Sequence, residues 1–371
     1  MTTSSVEIRK QFSPRRRTAD ECREILANNR AWGSVFSDHM VTGFYTPERC
    51  WHELSVGPIG NFEFHPATAV LHYGQAIFEG MKAYRQQDGA ITAFRAEMNA
   101  RRFALSARRL AMPPLPEETF LASLKALVEA DRAWVPENEG ESLYLRPMMF
   151  STDAHLLTRP SETYRFVVIA SPVANYFPSG VKPVSVWVPS GYVRAVRGGV
   201  GEAKCAGNYA AGFIAQREAA ANGCDQVVWL DAIDRETVEE MGGMNIFFVF
   251  NRGGKLVLAT PKISGSILKG VTRDTLLTLA GDLGYAAEEC HITFEEWKAG
   301  CKSGAIAETF ACGTAAVITP IGQVRSDKGD FCVADGSTGE VTAKMRKALV
   351  DVQHGRSADR HGWRYPLVER V

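Results

Sequence analysis

Two domains of mixed α and β structure, α+β in class, are what this sequence predicts, and three observations carry the prediction. The chain has 371 residues, more than one hydrophobic core comfortably fills. Strand-length apolar runs and helical periods intermix in both halves without a regular β-α-β rhythm, which favours α+β over doubly wound domains. The pattern breaks on proline and glycine at Tyr176-Phe-Pro-Ser-Gly180. The expected division is an N-terminal domain over 1–180, an interdomain linker over 181–190 and a C-terminal domain over 191–371.

The elements follow in order. Thr18-x-x-Glu21 is a capping box that opens a helix toward Arg30. Trp51 to Leu71 reads as short strands and turns. A helix is expected over Asn99 to Leu110, and helical spacing of Phe120, Leu121, Leu124, Leu127 and Val128 makes another, closed by Pro136. Leu143 to Phe150 and Arg165 to Ala170 are buried strands by length and apolarity. Val184, Val186 and Val188 alternate as a strand does, Asn208 to Asn222 has helical composition with Gly223 to end it, and Gln226 to Leu230 is a strand. Asn245–Phe250 and Lys255–Ala259 flank Asn251-Arg-Gly-Gly254, a hairpin signal. Thr272 is expected to cap a helix through Leu283, Thr293-x-x-Glu296 repeats the capping box, and Val341 to Val352 is a last helix. There is no internal repeat and no low-complexity tract.

Lys+Arg and Asp+Glu balance at 42 each, so no net field draws the chain to nucleic acid or an anionic membrane. The first twenty residues hold no apolar export segment, and no run approaches the ~18 apolar residues of a membrane helix. Eight cysteines are scattered with no C-x-x-C pair, against a zinc site, a dithiol centre or a disulfide scaffold. A cytoplasmic, metal-free protein is expected.

Lys204 stands among small residues in Gly201-Glu-Ala-Lys-Cys-Ala-Gly-Asn-Tyr209. A lysine amine beside a bound carbonyl compound can form a Schiff base, and most lysines are instead solvated charges. Lys269-Gly-Val-Thr272 before a helix can offer backbone N–H groups to a phosphate, or can be an ordinary turn into a helix. Cys312-Gly-Thr-Ala315 is a second small-residue loop with the same two readings. Arg102 can grip a phosphate from its helix, while Arg101, Arg108 and Arg109 beside it read as surface charges. Glu240, before Met241-Gly-Gly-Met-Asn245, can hold a pyridine nitrogen protonated, and of Glu239 and Glu240 one is expected to be a solvated turn residue. Tyr209 can donate to a phenolate oxygen or be a core aromatic.

Together Phe78-Glu-Gly-Met-Lys-Ala-Tyr84, Gly201–Tyr209, Glu240-Met-Gly-Gly-Met-Asn245 and Leu268-Lys-Gly-Val-Thr-Arg273 resemble the branched-chain amino acid aminotransferases, the class IV, fold-type IV pyridoxal-phosphate enzymes. The likeness runs from about Trp32 to the C-terminus. It implies a smaller N-terminal α/β domain, a larger C-terminal domain with a pseudo-barrel, and reversible transamination of leucine, isoleucine and valine with 2-oxoglutarate. It also implies pyridoxal 5'-phosphate between the domains.

By the same resemblance Lys204 carries the cofactor and shuttles the proton. Glu240 pairs with the ring nitrogen and Tyr209 with the phenolate oxygen. Arg102, Leu268, the Val271 and Thr272 amides and the Thr314 hydroxyl hold the cofactor, chiefly its phosphate. Trp32, Tyr73, Phe78, Tyr144 and Tyr176 wall the side-chain pocket, Arg146 admits the distal carboxylate of glutamate, and Gly243 and Ala315 meet the substrate carboxylate. Leu156 and Thr158 reach a neighbouring subunit's site, implying a homodimer. Animal relatives carry threonine where Gly243 stands, and some relatives have a redox C-x-x-C where this chain reads Ala316-Val-Ile-Thr319. Cys205 and Cys312 are left as places for adventitious oxidation. A D-amino acid aminotransferase or an aminodeoxychorismate lyase is the alternative within the same fold.

Overall fold

The computed structural model describes residues 7–28, 32–174 and 181–370. Tyr176 and the Pro/Gly break around it lie outside the described residues. Two compact units emerge: Met1–Pro178 with Ala203–Ala206 and Val352–Val371, and Ser179–Glu202 with Gly207–Asp351.

The first unit holds β1 (Arg9–Lys10), β2 (His39–Thr46), β3 (Cys50–Pro58), β4 (Ala76–Phe78), β5 (Met81–Arg85), β6 (Ile91–Phe94), β7 (Ser142–Ser151) and β8 (Tyr164–Val173). The second holds β9 (Val184–Val188), β10 (Gln226–Leu230), β11 (Val238–Met241), β12 (Met244–Arg252), β13 (Lys255–Pro261), β14 (Ala286–Cys290), β15 (Ile306–Gly313), β16 (Val317–Ser326) and β17 (Phe331–Cys332). The closing strand, β18 (Arg364–Val368), returns to the first unit.

Among the described residues the first sheet runs β1-β3-β2-β8-β7-β5-β6-β18, with β4 on β7. Its long central pair, β7 with β8, matches Ser142 to Val173 through Ser151 to Tyr164. Helices Ala96–Arg109 and Glu117–Ala130 belong to this unit, and Phe103, Phe120 and Phe166 meet at ring-centroid distances of 5.3, 5.8 and 6.3 Å. Each buried ring removes enough apolar surface to contribute roughly 2–3 kcal/mol.

The second sheet closes on itself. β11, β10, β9, β16, β15 and β12 are paired in that order, and β12 pairs back to β11, a ring of six strands. Strands β13 and β14 continue from β12, and β17 adds to β16. Closure leaves the ring without a free edge. Trp297, fully buried, packs edge-on against Phe248, Phe294 and Phe331 and donates its Nε1–H to Thr309 Oγ1 at 3.0 Å.

Local chemistry accounts for most boundaries. Both capping boxes form: Thr18 N–H donates to Glu21 Oε2 at 2.7 Å, and Thr293 N–H to Glu296 Oε2 at 2.7 Å. The hairpin β12–β13 turns on Gly253 and Gly254, with φ of 59° and 85°, the backbone that a two-residue turn of this hand requires. Three expectations are corrected. The helix of the phosphate loop starts at Val271, with Gly270 at its cap and no side-chain cap bond, so Thr272 lies in the first turn. The helix expected over Asn208–Asn222 is two, Ala206–Ala210 and Phe213–Ala221, parted at Gly212, where a Cβ would come within 3.2 Å of Trp229.

The third correction concerns the division of the chain. The stretch 181–190 holds a buried strand, β9, paired with β10 and β16. Within 191–371, residues 203–206 and 352–371 group with the first unit, the latter because β18 pairs with β6.

Candidate active site

In the first unit the backbone presents Lys204 from a pinned position. Its N–H donates to Ser106 Oγ at 2.9 Å, its carbonyl accepts from Phe78 N–H at 3.0 Å, and Cys205 bridges Ile77. The half-buried side chain brings Nζ to 4.8 Å from the Phe78 ring centroid.

Beside Phe78, Glu79 is fully buried and accepts from Arg102 at both oxygens, Nε to Oε1 at 2.7 Å and Nη2 to Oε2 at 2.8 Å. Asn99 Nδ2 adds a third bond at 2.8 Å. Burial alone would push this carboxyl up; the Arg102 charge and hydrogen bonds, with Lys204 and Asn99, outweigh it and hold the group below the ordinary carboxylate range.

An aromatic group adjoins them. The Arg146 guanidinium lies over the Phe78 ring at 4.8 Å and the Tyr144 ring at 5.3 Å, and donates to Tyr144 Oη at 3.0 Å. Trp32 meets Tyr144 edge-on at 4.9 Å. A Cβ on Gly80 would fall on Tyr144 Oη, so glycine there leaves room for the phenol. Tyr73 turns elsewhere: it is 41% exposed, stacks near His72 and His155, and donates its Oη to Leu156 O at 2.7 Å. Leu156 and Thr158 are exposed.

In the second unit Glu240 lies on β11 and Asn245 directly opposite on β12, joined across the Gly242-Gly243 turn. Asn245 Nδ2 donates to Glu240 Oε1 at 2.9 Å and to Leu268 O at 3.0 Å. Arg194 Nε sits 2.6 Å from Glu240 Oε2, an ion pair by distance without the alignment of a hydrogen bond, and Arg194 Nη2 holds the Gly201 and Ser266 carbonyls. The tip of the turn faces Tyr209, whose Cε1 would lie 3.3 Å from a Cβ on Gly243.

The expectation that one of the adjacent acids is solvated is overturned, because both lie on the buried strand β11. Glu239 accepts from Ser264 Oγ at 3.3 Å and from Ser266 Oγ. Burial raises its carboxyl, only partly offset by Ser266, Arg194 and Ser264.

Val271 and Thr272 open the 12-residue helix Val271–Asp282, whose first N–H groups have no side-chain cap. Thr314 and Ala315 form the tight turn between β15 and β16. Cys205 and Cys312 are buried, and desolvation pushes the Cys312 thiol far up, which removes it as a place of ready oxidation.

Sequence reasoning missed Glu79, Asn99, Ser106, Arg194 and Asn245. Glu79 stands inside Phe78–Tyr84 and Asn245 ends the Glu240 motif, so two were in view without an assigned partner.

The second unit holds a buried carboxylate, a half-buried phenol and an uncapped helix N-terminus, donors that suit a phosphorylated pyridine, and the first holds a pinned amine. The family model for amino-transferase class IV matches residues 76–324. A branched-chain-amino-acid aminotransferase of Mycolicibacterium smegmatis is 54% identical over 345 residues, 93% of this chain and 94% of that protein. The crystal structure of the Escherichia coli branched-chain amino acid aminotransferase covers 88% of this chain and 99% of its own at 25% identity and a TM-score of 0.73. The T.th. enzyme of the same name, solved with pyridoxamine 5'-phosphate, covers 91% and 100% at 26% identity and a TM-score of 0.69. This chain belongs to the branched-chain amino acid aminotransferases of the class IV aminotransferase family.

Proposed function

We propose that this enzyme transfers the amino group of L-leucine, L-isoleucine and L-valine reversibly to 2-oxoglutarate, in two half-reactions, with pyridoxal 5'-phosphate as cofactor. The observation that carries the reading is the aromatic group around Phe78. Trp32, Phe78 and Tyr144 offer apolar surface for a branched aliphatic chain, and the amine of Lys204 lies 4.8 Å from the same Phe78 ring. Burying each methylene contributes about 0.8 kcal/mol. The Arg146 guanidinium in that group gives the distal carboxylate of glutamate a countercharge.

When bound, the cofactor supplies an electron-accepting pyridine ring. Lys204 anchors it and moves a proton at the substrate Cα through Nζ. The Glu240 carboxylate holds a proton on the ring nitrogen, and Tyr209 Oη donates to the phenolate oxygen. Arg102, the Val271 and Thr272 N–H groups and the Thr314 hydroxyl hold the phosphate, beside the Leu268 backbone. The backbone at Gly243 and Ala315 meets the substrate carboxylate, a role for which Gly243 brings no hydroxyl.

The enzyme acts as a homodimer in the cytoplasm. Exposed apolar surface at Leu71, Tyr73, Leu156 and Leu157, between 41% and 76% accessible, supports a covered face there, and Leu156 and Thr158 reach the partner's pocket. No described helix is long and apolar enough to cross a membrane.

Purified enzyme given L-leucine and 2-oxoglutarate is expected to form glutamate, with parallel initial-rate lines, and to ignore D-alanine. Borohydride treatment should label Lys204, and Lys204→Ala should lose both label and turnover. A label on another lysine, or preference for D-alanine, would remove this reading.

A further inference from the structure

The two donors of one amide reach two separate parts of the second unit, one 5 residues before it in sequence and one 23 residues after: Asn245 Nδ2 donates to Glu240 Oε1 at 2.9 Å and to Leu268 O at 3.0 Å. Both partners are acceptors only, so the amide has one orientation that satisfies them. Its oxygen is then turned to the loop, where a Cβ on Gly270 would fall on Asn245 Oδ1. Asn245 is 5% exposed and Glu240 2%, so neither bond is shared with bulk water. Leu268 and Gly270 lead directly into the uncapped helix N-terminus at Val271. Moving the loop therefore displaces the amide, and moving the amide releases a buried carboxylate oxygen. Leaving such a group unsatisfied is costly.

We propose that Asn245 is a positioning residue that couples the ring-nitrogen acid, Glu240, to the phosphate loop, so that each half of the cofactor site is organised only while the other is. The inference rests on the roles proposed above for Glu240 and Val271–Thr272. Asn245 acts by holding Glu240 and the Leu268 carbonyl in place, not by touching ring or phosphate itself. Arg194, at the other oxygen of Glu240, fixes the carboxylate from behind but reaches Ser266 and Gly201 rather than the Leu268–Gly270 segment.

The test measures binding to the apoenzyme, with pyridoxal 5'-phosphate and inorganic phosphate as separate probes. Asn245→Asp keeps the shape of the side chain and removes both donors. It is expected to weaken pyridoxal 5'-phosphate by about tenfold, the scale of losing one or two buried hydrogen bonds, and to weaken inorganic phosphate too. Glu240→Leu, which leaves the Asn245 amide without that acceptor, should weaken inorganic phosphate when Asn245 is present and add nothing once Asn245→Asp is made, an effect read at the phosphate loop rather than at the contact itself. If Asn245→Asp apoenzyme does not fold by circular dichroism, Asn245→Ser enters the same cycle, since serine is too short to span both acceptors. Phosphate affinities within twofold of the parent enzyme, or additive effects of the two substitutions, overturn the coupling. Turnover and the Lys204 label in the unsubstituted enzyme test the functional reading separately, and their loss would be a failure of that reading alone.

Discussion

Glu79 and Arg102 face each other as a two-point ion pair, Nε to Oε1 at 2.7 Å and Nη2 to Oε2 at 2.8 Å, with both side chains buried. The pair fixes the orientation of the guanidinium, and its acid borders the amine-bearing segment through Phe78. Removing one partner of such a pair leaves the other charged and buried, which costs about 3–5 kcal/mol. Glu79→Gln is expected to lose stability on that scale at neutral pH. Because the folded carboxyl lies below its ordinary value, the stabilisation is complete above the unfolded value, roughly 4.3, and is lost as pH falls through the lower folded one. Urea melts of both proteins from pH 7 downward should converge in acid; a constant gap would contradict this.

Glu239 has the opposite sign. Its folded carboxyl is raised, chiefly by burial, so the folded state favours the protonated acid and loses stability as pH rises from the ordinary carboxylate value through the raised one. Glu239→Gln should therefore gain stability relative to the parent on going from pH 4 to pH 8, read as a rising difference in Tm. A difference that shrinks with pH would show that Ser264 and Ser266 hold the ionised form.

The thiols divide by exposure. Cys50 and Cys332 are exposed, whereas Cys301 and Cys22 are buried, with thiols that desolvation pushes up to about 12 and about 11. Titration of the folded enzyme with a thiol reagent should label Cys50 and Cys332 first, and Cys22, Cys301 and Cys312 only on unfolding. Early labelling at Cys312, mapped by mass spectrometry, would mean that its strand opens.

The indole of Trp297 donates to Thr309 Oγ1 at 3.0 Å inside a fully buried aromatic cluster. Thr309→Val keeps the volume and deletes the acceptor, leaving a buried N–H unsatisfied at a cost of about 1–3 kcal/mol. Chemical denaturation should show that loss with an unchanged m-value. No loss would indicate that another acceptor takes the proton.

Lys204, Glu240 and the Leu268–Thr272 loop were legible because each is a local pattern: a basic or acidic residue among glycines, or a glycine before a helix. Most strands and both capping boxes were legible for the same reason, since periodicity and caps are set by residues a few positions apart. Glu79 was passed over as one acid among many, and no spacing rule connects it with Arg102 23 positions later. Asn245 is an ordinary polar residue until β11 and β12 pair and set it opposite Glu240, and so is Arg194 until its loop after β9 meets the same carboxylate. The strand over Val184–Val188 was legible from its alternation, but the Pro/Gly break before it set a linker over 181–190, because the partners that draw β9 into a sheet, β10 and β16, lie about 40 and 140 residues away.

By itself the sequence determined which groups carry charge, where glycine allows close approach, and which segments must hide an apolar face. Tertiary structure alone decided which carboxylates are buried, which cations neutralise them, and that the last strand returns to the first sheet. Those outcomes depend on desolvation and on pairings between distant segments, and neither quantity exists until the chain has folded.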